Sequence, residues 1–148
     1  MTDKNDSRID PYRNFRFRVE AGDITAGFSE VIFGSAITEV IEYREGNDPP
    51  HTRKLSGLTR YGTIQLKRGI TDSMDLYNWY RTIADEGAGA GRRNMSIVLI
   101  DENGNDKARW NIENAWPTRY DPPDFSALES RVAIELLEIA HEGLRRDR

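Results

Sequence analysis

The chain has 148 residues and no cysteine, which suits one domain with a core of its own and excludes disulfides, thiol chemistry and thiolate metal sites. Its hydrophobic fraction is 37%, its charged fraction 31% and its net charge −4; this argues against a broad basic surface for gripping nucleic acid, and a mildly acidic face would let phosphate slide past. The N-terminus, MTDKNDSRID, lacks an apolar signal-peptide core, and the longest aliphatic run, Ile97–Ile100, is too short to span a membrane, so synthesis in a cytoplasm without a membrane anchor is expected.

Met1–Asp10 reads as a flexible arm, with order beginning at Asp10-Pro11-Tyr12. Phe15 to Glu20 alternates strictly, which predicts a half-buried strand with Phe15, Phe17 and Val19 on one face. Ala21-Gly22-Asp23 is a turn, and Ala26–Ser29 can pair back as a hairpin. Ala36–Tyr43 is β-branched and ambiguous in period. From Glu42 to Thr71 runs a stretch organised as strand end, long polar loop and strand start, with Gly46, Asn47, Asp48, Pro49, Pro50 and Gly57 as punctuation. A loop of that length inside a compact chain tends to be functional or disordered. Thr63–Lys67 then alternates, with Ile64 and Leu66 inward, and Gly69 ends it.

Thr71–Asp85 predicts a helix capped by Thr71 or Asp72, with Asp75 in its first turn and Gly87 just past its end. Its apolar face is Leu76, Tyr80, Ile83 and Ala84. Ala88–Gly91 reads as a flexible connector. Ser96–Asp101 is apolar on both faces and so is a central strand. Glu102–Asn105 is a hairpin turn built on Asn-Gly, and Ala108–Asn114 returns. Ala115-Trp116-Pro117 breaks that strand, and YDPPD (120–124) breaks the chain again. Ala127–Leu144 divides evenly: Glu, Leu and Ala favour helix, while Val132, Ile134 and Leu136 alternate. The expected fold is mainly β, two packed sheets or a small barrel, with one flanking helix at about Asp72–Asp85.

Motifs for chemistry fail on their spacing. Asp101–Asp106 resembles the start of a calcium loop, but the sixth and twelfth positions hold Asp106 and Ile112 instead of Gly and Glu. Gly87, Gly89 and Gly91 precede Arg92-Arg93, yet follow a helix and lack the Lys-Ser/Thr ending of a phosphate loop. His51 and His141 are the only histidines, and a metal site would need both. No nucleophile elbow is present, and no carboxylate pair implies a shared acid–base site. The expectation is a non-enzyme without cofactor or metal. Trp79, Trp110, Trp116 and Tyr61 suit core or interface, with core favoured for Trp110.

Taken together, several segments carry a resemblance. They are Asp10-Pro11-Tyr12 through Phe17, Ala26–Val31, Tyr43–Asn47, Lys54-Leu55, Gly57-Leu58 with Tyr61, Ile64 and Leu66–Gly69, Leu76–Trp79, Ile97–Gly104, Arg109-Trp110, Asn114–Pro117, and Ile134-Glu135 to Leu144. In that order they resemble the tube proteins of contractile tails, the family of myovirus tail tubes and phage-like contractile injection system inner tubes. The chain departs from the family at Ser56, where Pro is common, and at Ile32-Phe33-Gly34, where Gly-Leu usually follows Val31.

The resemblance implies two orthogonally packed antiparallel sheets forming a small β-barrel or sandwich with one helix, and a strand at the C-terminal segment. It implies an arm over 1–9, a single tube domain over 10–148 and an extended loop at about 44–61. It also implies hexameric rings stacked into a rigid tube inside a contractile sheath, with a baseplate hub or spike and a tube terminator at the ends. DNA or protein cargo would pass through the lumen without specific binding, and the assembled particle would be driven through a target envelope. A domain of this length has a diameter of about 38 Å, so six in a ring leave a hole roughly one subunit wide. Arg44, Glu45, Asn47, Asp48, Arg53, Lys54, Leu55 and Tyr61 are the expected inter-subunit contacts, against the plain alternative of a solvated loop. The competing function is a soluble ligand- or protein-binding β-domain that forms no tubes.

Overall fold

The computed structural model describes residues 16–47, 50, 52–69, 73–124 and 133–148. The expected arm, the Asp10-Pro11-Tyr12 start, Phe15, Asp48, His51 and the helix caps Thr71 and Asp72 lie outside these residues. Ten strands and one α-helix occupy the described residues.

β1 (Phe17–Ala21) and β2 (Ile24–Phe28) form the expected hairpin about Gly22, whose φ of +66° suits the tight turn. β1 also pairs with β7 (Arg93–Ile100), and β7 with β8 (Asp106–Asp121), across the Asp101–Asn105 turn. Further round, β8 pairs with β9 (Ile134–Ala140), β9 with β6 (Ile64–Gly69) and β6 with β3 (Glu30–Ile32). All are antiparallel, in the order β2-β1-β7-β8-β9-β6-β3, with β10 (Gly143–Arg146) added beside β8.

The two ends of this path meet in sequence. β2 and β3 are separated by Ser29 alone, whose N–H donates to the Lys67 carbonyl at 3.0 Å. The path therefore curls over on itself around one core. Val19 and Phe28 enter it from one end, Ile64, Leu66, Leu137 and Ile139 from the other, and Met95, Ile97 and Ile112 from the middle. β7 is the central strand its composition predicts: Ile97 and Val98, on opposite faces, are both wholly buried. The segment left open between helix and strand is β in its described part, because Leu137 and Ile139 alternate into the core.

β4 (Ala36–Tyr43) and β5 (Arg53–Tyr61) form a separate two-stranded ribbon. The expected extended loop over 44–61 is therefore corrected: Arg53–Tyr61 is a strand, and the connection between β4 and β5 is only the stretch 44–52.

α1 (Asp75–Glu86) carries Asp75 in its first turn and stops at Gly87, whose N–H bonds the Ile83 carbonyl at 2.8 Å. Its buried face is Leu76, Trp79 and Ile83; Tyr80 is half-buried and Ala84 exposed, so the expected face is rotated toward Trp79. The Trp79 indole donates to the Gly91 carbonyl. Ala88–Ala90 is consequently a 3₁₀ turn, and a Cβ at Gly91 would meet Ile83 Cδ1 at 2.6 Å; the connector is packed in place.

Ala115-Trp116-Pro117 does not break β8, which runs on to Asp121. The strand bends instead. Asn94 of β7 faces two residues of β8, Glu113 and Asn114, and the β8–β9 register slips beside Pro117. Proline is tolerated where the ladder is already interrupted.

Candidate assembly surface

The ribbon is built from β-branched residues on β4 facing a more polar β5. Ala36 opposes Tyr61, Ile37 opposes Arg60 and Thr38 opposes Thr59. The register then shifts, with Glu39 facing Gly57 and Leu58, and resumes with Val40 opposite Ser56, Ile41 opposite Leu55, Glu42 opposite Lys54 and Tyr43 opposite Arg53. An added Cβ at Gly57 would meet Glu39 Oε1 at 2.7 Å and Ile41 Cδ1 at 3.1 Å, so Glu39 and Ile41 lie across the bare backbone there. Opposed residues share a face. One face thus carries Ile37, Ile41, Tyr43 and Leu55, with Leu58 at its bulge and Glu39, Arg53 and Arg60 among them. The other carries Val40 among Thr38, Thr59, Ser56, Glu42 and Lys54.

Among the described residues, nothing covers either face. Ile37, Val40 and Leu58 are 62%, 61% and 69% exposed, and Leu55 is 50% exposed. An isolated two-stranded hairpin is marginal in water, and large apolar side chains grouped on an exposed element mark an interaction surface. The polar contacts along it are local: Thr38 and Thr59 hydroxyls meet at 2.9 Å, and Thr52 donates to Glu42 at 3.5 Å. Tyr43 donates to the Glu45 carboxylate, which pushes its phenol above the ordinary value.

A narrow neck joins ribbon to body. Gly34 has φ +74°, and a Cβ on it would strike the Thr63 carbonyl oxygen at 2.6 Å, so only glycine lets the two chains pass. The Gly62 N–H closes the neck on the Ser35 carbonyl at 2.8 Å. Below it, Phe33 packs on Trp110 with ring centroids 4.7 Å apart, and Tyr61 packs on His141 at 5.3 Å.

The expected contact residues fall along this element unevenly. Arg44, Glu45 and Asn47 are exposed in the connection at the tip, and Arg53 and Lys54 are exposed at the start of β5 on opposite faces. Leu55 sits within the apolar face. Tyr61 is half-buried at the neck, about 26 Å from the tip along a strand of this length, and so is not part of the same patch. Sequence reasoning missed Ile37, Val40, Ile41, Tyr43 and Leu58. Their signal was the β-branched composition of Ala36–Tyr43, which has no apolar alternation because neither face is buried against the described residues.

The chemistry-bearing stretches elsewhere have structural occupations. Asp101 Oδ1 accepts the N–H groups of Asn103 and Asn105, both at 2.9 Å, so its carboxylate shapes the hairpin turn. No cluster of three or more metal-ligating side chains occurs among the described residues.

The sequence matches the family described as "T4-like virus tail tube protein gp19" over residues 13–145. No curated protein matches significantly. Among solved structures, a chain in the sheath–tube complex of an extracellular contractile injection system (PVC, extended state) superposes with a TM-score of 0.76 at 23% identity, covering 99% of each chain. A chain in the sheath/tube terminator structure of that system gives 0.75 at 24% identity, covering 90% of this chain and 94% of the other. Hcp1 from Flavobacterium johnsoniae gives 0.62 at 16% identity, covering 90% and 95%.

Proposed function

The chain belongs to the T4-like virus tail tube protein family, and we propose that it is the repeating subunit of a rigid inner tube, built from hexameric rings that stack through the β4–β5 ribbon. The observation that carries this reading is the ribbon's exposed apolar face, Ile37, Ile41, Tyr43 and Leu55. A side chain of this kind gains roughly 1 kcal/mol when its exposed half is covered. Four or five per subunit add up to about 4–5 kcal/mol, at the lower end of the cost of association, and multivalent contact around a ring adds to it. The mixed charges at the tip, Arg44, Glu45, Arg53 and Lys54, fix the register of that contact more than its strength.

The occupant of this face is a second copy of the chain. β2 and β3 are outermost on their path among the described strands, and pairing across subunits within a ring would cover such edges. Sheath, baseplate and terminator proteins are the partners expected around such a tube. DNA or protein passes through its lumen, and the tube works by staying intact while it is pushed, with no catalytic step. Its place is a phage tail or injection particle, made in a bacterial cytoplasm, from which the tube is ejected through a target envelope. The alternative, a monomeric binding domain, has no structural feature of its own in favour.

The test is particle size. Purified protein examined by light scattering and negative-stain electron microscopy gives rings or tubes. A monodisperse monomer at every concentration and salt condition overturns the proposal.

A further inference from the structure

His141 lies where the ribbon's neck meets the body. It follows β9 and precedes β10, at the point where the chain turns from one half of the sheet to the other. Its ring packs on Tyr61, the first rung of the ribbon, and its Nδ1 lies 3.2 Å from the Gly143 carbonyl oxygen. A carbonyl accepts, so Nδ1 carries the proton and Nε2 is a bare lone pair. That Nε2 is buried and has no hydrogen-bond partner. In the neutral ring that nitrogen is a buried acceptor left unpaired, and protonation would turn it into a buried charged donor.

We infer that His141 is a proton-sensitive clasp on the ribbon's neck: protonation at Nε2 turns the ring out from Tyr61, loosens the Ser35–Gly62 closure and weakens stacking through the ribbon. The subunit-level part of this stands alone; the effect on stacking rests on the tube reading above. Protonation of Nε2 creates a charged donor in a desolvated pocket. Tyr61 on β5 is the titratable ring it meets. Glu142 on the adjoining turn is already engaged by Arg92 at 2.7 Å and Asn114 at 2.8 Å. Glu113 on β8 lies against Gly143, where an added Cβ would meet its Oε1 at 2.9 Å. Burial holds the imidazole below its ordinary value, against the opposing pull of the Gly143 and Gly62 carbonyls. The open neck, with a solvated histidine, takes up the proton more readily. Closure is fully favoured above about pH 6.5 and is lost as pH falls below that value, by up to about tenfold in open population per pH unit.

Hydrogen exchange of the unassembled chain tests the clasp directly. Protection of the Gly62 amide, corrected for intrinsic rates, should fall several-fold between pH 7.5 and 5.5 in the native protein and stay constant in His141→Gln. Equal protection at both pH values in the native protein, or the same loss in the variant, overturns the inference. Should the variant fail to fold, NMR titration of the native protein decides. The His141 ring, separated from His51 by a His51→Gln variant, must titrate below 6.5 and carry the Tyr61 ring resonances with it; an ordinary midpoint or unmoved Tyr61 resonances contradict it. In assembled tubes, shortening on acidification must disappear in His141→Gln; persistence of the shortening in the variant contradicts the stacking step. Absence of tubes at every pH would count against the tube reading, and the exchange experiment still judges the clasp.

Discussion

The side-chain amide of Asn114 donates to the Glu142 carboxylate at 2.8 Å, tying the bend of β8 to the turn between β9 and β10. Asn114 is the one non-glycine residue with positive φ among the described residues, at 51°, and its own N–H donates to Asn94 Oδ1 at 3.1 Å. The left-handed conformation produces the bulge that lets one strand pair with β7 and β10 before the bend and with β9 after it. The core that closes around this bend therefore depends on a locally strained residue.

Asn114→Ala keeps a Cβ in the left-handed region and loses the bond to Glu142, so it should cost about 1–3 kcal/mol. Asn114→Gly removes the strain and should cost less than half as much. Urea denaturation midpoints of the two variants check this. Equal losses would assign the whole effect to the Glu142 bond.

Arg68 and Glu135 stand directly opposite on β6 and β9, joined at 2.8 Å with 5% and 13% of their side chains exposed. The Arg68 guanidinium also lies over Phe28, and the Tyr120 hydroxyl donates to Glu135 at 2.9 Å, its phenol pushed up to about 12 by burial and by that carboxylate. Glu135→Ala leaves a buried cation unpaired and should cost about 3–5 kcal/mol, whereas Arg68→Met with Glu135→Leu should recover most of it. A double-mutant cycle by chemical denaturation is the measurement. A double variant as weak as the single would show that the pair contributes more than its own desolvation.

Acid should act through the outer face of β1 and β8. Arg18 donates to both oxygens of Asp106, at 3.1 and 2.9 Å, and holds that carboxyl below its ordinary value. A carboxyl lowered in the fold contributes stability above its ordinary value of 3.8, and that contribution is lost as pH falls through the lowered one. Thermal melts from pH 6 to 2 should therefore drop more gently in Asp106→Asn than in the native chain. Parallel curves would place the acid-sensitive group elsewhere.

The body of the fold was legible because burial writes itself into sequence. Val19, Ile64, Leu66, Leu137 and Ile139 sit at alternate positions and point inward, and Ile97-Val98 is apolar on both faces because β7 is covered on both. The ribbon was not legible as a ribbon, since β5 is exposed over most of its length and the Gly57-Leu58 bulge shifts its period. A strand that does not pack on the core shows no alternation against it. Trp116-Pro117 misled for a related reason: a proline signals a break unless the ladder is already interrupted by a bulge, and the bulge depends on Asn94 and Glu142, which are distant in sequence.

The central claim is that the ribbon's apolar face joins subunits. Ile41→Asp with Leu55→Asp places two charges on that face without touching the core, since both residues are exposed. Circular dichroism and thermal melting should be unchanged within a few degrees, while electron microscopy should show tubes for the native chain and none for the variant. Tubes of normal length from the doubly charged variant would contradict the account.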